Sequence, residues 1–77
     1  SKTIDEMVGA RLLALMTQNG MSSADLAERL GLKPEMVDEY CAGTRRIGAT
    51  LLMEISRLLG VKVTDFYAGA TGSEGQD

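Results

Sequence analysis

Histidine and tryptophan are absent from this chain, cysteine and proline occur once each, and the aromatics amount to two Tyr and one Phe. Without histidine the usual general base is missing, and with it most hydrolytic mechanisms. Cys41 alone allows no internal disulfide, and with no histidine to join it there is no zinc site. No apolar run approaches the roughly 20 residues that a bilayer-spanning helix needs. A secretory signal is not expected, because Asp5 and Glu6 follow Lys2 where an apolar segment would stand. Few β-branched residues and no alternating pattern leave little material for strands. These absences describe a cytoplasmic module that is not an enzyme and takes no cofactor.

What remains is ordinary for a small globular domain. The chain has 77 residues, 44% hydrophobic and 25% charged, and at this size about 60% of the unfolded surface is buried on folding. Eight basic residues stand against eleven acidic ones, a net charge of -3. That balance works against indiscriminate binding to polyanions, which runs on Lys and Arg.

Helical periodicity fills nearly every window. Ile4, Met7, Val8, Arg11, Leu12, Leu15 and Met16 recur at helical spacing, so residues 4–18 read as an amphipathic first helix that Asn19-Gly20 stops. Ser22-Ser23-Ala24-Asp25 has capping-box form, with Asp where Glu or Gln is commoner. It opens a short second helix with Leu26, Ala27 and Leu30 inward, closed by Gly31. Pro34 starts a third helix at the position where its missing N–H costs nothing, with Val37, Tyr40 and Cys41 inward and Gly43 at its end. A basic loop, 44–48, carries Arg45 and Arg46. A fourth helix runs over about 49–59, and Thr64 is placed to cap a last helical turn holding Asp65, Phe66 and Tyr67. Val61, Val63, Phe66 and Tyr67 divide between core and a dimer seam. From Gly69 onward no apolar residue is larger than alanine, which predicts a folded domain over 1–68 and a disordered tail over 69–77. Leu26, Leu30, Val37, Leu52 and Ile55 are the expected centre of the core.

The second and third helices, joined by a tight turn at Gly31, form a helix-turn-helix candidate. Ala27 is small where the third helix must cross. Residues 8–67 resemble the phage repressor and Cro-like (XRE) helix-turn-helix family of transcriptional regulators. The likeness runs through Val8-Gly9-Ala10-Arg11-Leu12, then Asp25-Leu26-Ala27-Glu28-Arg29-Leu30-Gly31-Leu32, and then Gly43-Thr44-Arg45-Arg46. Leu52, Ile55, Leu59, Gly60 and Val61 complete it, and the stretch from Gly43 to Tyr67 looks like an alphaproteobacterial subgroup.

The resemblance implies an all-α, five-helix, lambda-repressor-like domain that binds double-stranded DNA as a homodimer, with its third helix in the major groove. It places phosphate contacts at Arg11, Ser22, Ser23, Arg45 and Arg46, and base reading at Lys33, Pro34, Glu35, Asp38 and Glu39. At those positions the sequence departs from the family's usual Gln, Ser, Thr, Arg and Asn. Residues 23–42 hold five acidic and only two basic side chains, and unit charges 4 Å apart repel by about 1 kcal/mol even in water. Two functions follow from the same fold. One is a DNA-binding regulator; the other is a degenerate helix-turn-helix that has lost DNA and meets a basic protein partner through its acidic third helix. Cys41 reads as structural, since no basic neighbour within a helical turn would lower its pKa.

Overall fold

Thr3 opens the first helix of the computed structural model, which describes residues 2–67. The domain boundary expected at 68 and the tail 69–77 lie outside the described residues. The Thr3 hydroxyl accepts from the Glu6 amide at 3.1 Å, and the Thr3 amide donates to Glu6 Oε1 at 2.9 Å. This reciprocal box starts α1 (Ile4–Gln18) and satisfies two of the amides that a helix start leaves without partners. The same device starts α2 (Ser23–Leu30): Ser22 Oγ accepts from the Asp25 amide at 3.1 Å, and the Ser22 amide donates to Asp25 Oδ2 at 3.0 Å. A shorter acid closes the box as well as Glu would.

At Gly31 the backbone turns left-handed, with φ 71°, a conformation that costs glycine little. The Leu32 amide then returns to the Ala27 carbonyl at 2.9 Å, which ends α2. Pro34 is the first residue of α3 (Pro34–Ala42). The loop after it leads to α4 (Ala49–Leu59), and a 3-10 helix spans Val63–Tyr67.

The expected fifth helix is therefore corrected to four α-helices and one short 3-10 helix among the described residues. Five residues are too few to repay α-helix nucleation, and the Asp65 amide bonds three residues back, to Lys62 O, at 2.9 Å. Thr64 is not the cap. Asp65 holds the entrance instead, its Oδ2 accepting from the Lys62 amide at 3.1 Å.

α3 packs against both α1 and α2, and the 3-10 helix packs against α1 and α4. Leu12, Leu26, Val37 and Ile55 are fully enclosed, with Leu52 and Phe66 close behind. Leu30 is a correction to the expected core. It is half-buried, because it ends α2 and leans on the rim beside Leu58 and Arg57. Ile4 is 45% exposed, standing one turn before α1 meets the core. The crossing of α1 and α3 is close at Gly9, where a Cβ would collide with the Tyr40 carbonyl and lie 2.7 Å from the Cys41 carbonyl oxygen. Among the described residues no helix is long and apolar enough to cross a membrane.

Candidate functional site

Burial of Val37 and Tyr40 on one side of α3 turns Glu35, Asp38 and Glu39 to the other. Of the five positions expected to read bases, Glu35, Asp38 and Glu39 thus share one outward face of α3, while Lys33 and Pro34 are exposed where the helix begins.

Two hydrogen bonds tie that face to its neighbours. Ser23, first residue of α2, donates from Oγ to Asp38 Oδ1 at 2.5 Å. Arg45, in the loop after α3, donates from Nε to Glu39 Oε1 at 2.7 Å. Ser22 adjoins Ser23 as the N-cap of α2. Ser22, Ser23, the outer face of α3 and Arg45 are consequently one continuous surface.

Arg46 points another way. Its Nε donates to Asp5 Oδ1 at 3.1 Å, which pins the loop to the first turn of α1, and its side chain is 80% exposed. It borders a groove of about 270 Å³ with Ile4, Asp5, Val8, Ile47 and Tyr67. Arg11 stands apart from both loop arginines. It donates from Nε to the Asp65 carbonyl at 3.3 Å, beside Met7, Ala10, Ala14 and Phe66 in a second groove. Among the described residues no side-chain hydrogen bond joins it to Arg45 or Arg46.

The hydrogen bond and then the charge of Glu39 hold the Arg45 guanidinium above its ordinary pKa. The pair is about half exposed on both sides, so solvent screens it and its net worth to stability is small. Each guanidinium carries five N–H donors, and both ion pairs use Nε. Among the described residues the terminal nitrogens of both take no part in these bonds. Burial, and then the charge of Asp38, push the Cys41 thiol up, which makes it a poor nucleophile. No group of three His, Cys, Asp or Glu residues is placed to hold a metal among the described residues.

The sequence reading missed three determinants of this surface. Ile47 is buried and anchors the loop whose arginines face outward, but a single apolar residue in a polar loop carries no periodicity. Asp5 and Glu39 are the arginines' partners at separations of 41 and 6 residues, and nothing in local spacing announces either. The Thr3-to-Glu6 box, in contrast, has the Thr-x-x-Glu pattern that would have revealed it.

The helix-turn-helix family pattern matches residues 12–66. An uncharacterized HTH-type transcriptional regulator of Sinorhizobium medicae (strain WSM419) is 40% identical over 72 residues, covering 94% of this chain and 52% of that protein. The chain spans about half the length of that relative. Among solved structures, the clp gene regulator ClgR from C. glutamicum is similar with a TM-score of 0.84 at 27% identity, covering 95% of both chains. The S. venezulae BldD DNA-binding domain is similar with a TM-score of 0.71 at 30% identity, over 80% of this chain and 93% of that one.

Proposed function

The chain belongs to the XRE-type helix-turn-helix family of transcriptional regulators, and from that premise we propose that it binds double-stranded DNA sequence-specifically, as a homodimer. In this reading α3 enters the major groove, the Ser22 hydroxyl and the Ser23 backbone amide contact phosphate at the start of α2, and Arg45 and Arg46 contact phosphate from the loop. The carrying observation is the continuity of the surface. The Ser23–Asp38 and Arg45–Glu39 bonds join phosphate-contact positions to both sides of the base-reading face. Arg11 uses only its Nε on the Asp65 carbonyl, so its terminal nitrogens remain open to a further phosphate contact from α1. Regulation of transcription through an operator follows from the family and from the relatives' names, and a cytoplasmic location follows from that role.

The acidic face favours a second reading, in which α3 meets a basic protein and DNA is not bound. Titration with mixed-sequence duplex at about 50 mM salt, where electrostatic binding is strong, separates the two. The DNA reading expects saturable binding that weakens steeply with salt. Arg45→Ala with Arg46→Ala should weaken binding to every sequence and flatten the salt dependence by about one unit of slope per lost contact. No binding by a folded parent domain would end the DNA reading and leave the protein-partner reading standing.

A further inference from the structure

The three carboxylates on the outer face of α3 are not equivalent. Asp38 receives the Ser23 hydroxyl, and Glu39 receives the Arg45 guanidinium. Each has its near acceptor oxygen committed inside the domain, one helical turn or more from the start of α3. Glu35 is exposed in the first turn, and among the described residues it has no ion pair and no side-chain hydrogen bond. It also lies at the helix end whose residues approach base edges in helix-turn-helix docking.

We infer that Glu35 is the specificity-determining carboxylate of this surface, accepting a hydrogen bond from the exocyclic amino group of a cytosine, while Asp38 and Glu39 position the phosphate-contacting residues and read no base. The inference rests on the DNA reading proposed above. Cytosine is selected by the chemistry of the groove edge. A carboxylate only accepts, and cytosine presents its N4 amino donor with no acceptor beside it on the same base. Adenine sets its N7 acceptor next to its amino group, and guanine and thymine present acceptors, all of which repel a carboxylate. Lys33, exposed two residues earlier, supplies the complementary chemistry, because an ammonium donates to guanine O6 and N7. Together they favour a C·G-containing step at the position met by the start of α3.

Selection from a pool of randomised duplexes at about 50 mM salt tests this, comparing the parent with Glu35→Gln, Asp38→Asn and Glu39→Gln. Melting curves establish that each variant is folded. The parent should enrich C·G at one position of each half-site by roughly fivefold, the scale of one good polar contact to a base. Glu35→Gln should move that preference to A·T, since Gln pairs with adenine N6 and N7, while Asp38→Asn and Glu39→Gln keep it at C·G. An unchanged preference in Glu35→Gln, or one displaced by Asp38→Asn or Glu39→Gln instead, overturns the inference and leaves DNA binding intact. A parent that binds duplex but enriches no base at that position also overturns it. Retention of no duplex at all removes the DNA reading, and this inference with it.

Discussion

Ser22 and Asp25 sit where folding and the proposed contact surface meet. Bonds from the Ser22 amide, and then from the Ser22 hydroxyl, hold the Asp25 carboxyl below its ordinary pKa. A carboxylate whose folded pKa is lowered stabilises the fold above its unfolded pKa of about 3.9, and that contribution disappears as pH falls through the folded value. Melting measured from about pH 6 down to pH 2 should therefore show a decline in the parent below about pH 4 that is shallower in Asp25→Asn. Identical acid limbs would show that the box contributes nothing. Ser22→Ala should cost about 1 kcal/mol at neutral pH, the usual loss of an N-cap. This box was legible in the sequence because its partners are three residues apart. The Arg45–Glu39 and Arg46–Asp5 pairs were not, since charge tells which side chains seek partners but not which carboxylate the fold brings near. Arg11 shows the same limit: its bond to the Asp65 carbonyl spans 54 residues.

At the scale of elements, the fold depends on how closely α3 approaches α1. Gly9 lets the carbonyls of Tyr40 and Cys41 lie against the α1 backbone, and at Gly43 a Cβ would stand 2.5 Å from Glu6 Cα. Both contacts involve backbone, which cannot swing aside as a side chain does. Gly9→Ala would gain about 1 kcal/mol in helix propensity, yet overpacking costs typically 1–3 kcal/mol. With rigid carbonyls as the obstacle, a net loss of about 2 kcal/mol is expected by denaturant titration. A Gly9→Ala domain as stable as its parent would show that α3 has room to shift. Helix extents were legible because Asn19-Gly20, Gly31, Gly43 and Gly60 stop the apolar stripes, and α1 and α4 occupy the ranges that the pattern predicts. The segment from Val63 to Tyr67 was not. A cap and two aromatics describe a helical turn equally well in α or 3-10 form.

Over the whole molecule one core serves every element, and depth within it is a property that periodicity does not supply. Leu26 and Leu30 lie four residues apart on one stripe of α2, yet Leu26 is 0% exposed while Leu30 is half-buried at the rim. The eight-residue α2 is too short to keep both ends over the centre. Ile55, also 0% exposed, comes from α4 to close the far side of the same core. Truncating Ile55 to Ala removes methyl groups from a fully packed site and should cost about 2–5 kcal/mol. Leu30→Ala should cost about 1 kcal/mol, because full burial of a leucine is worth roughly 1.5–3 kcal/mol and this one keeps part of its contact with water. A domain of this size loses about 4–8 °C of melting temperature per kcal/mol. Ile55→Ala should therefore melt at least about 8 °C below the parent, and Leu30→Ala less than about 8 °C below it. Neither change touches the outer face of α3, so a folded Leu30→Ala domain should keep the parent's behaviour in duplex titration. Equal losses from the two truncations would mean that Leu30 belongs to the centre after all and that the rim closes over it in solution.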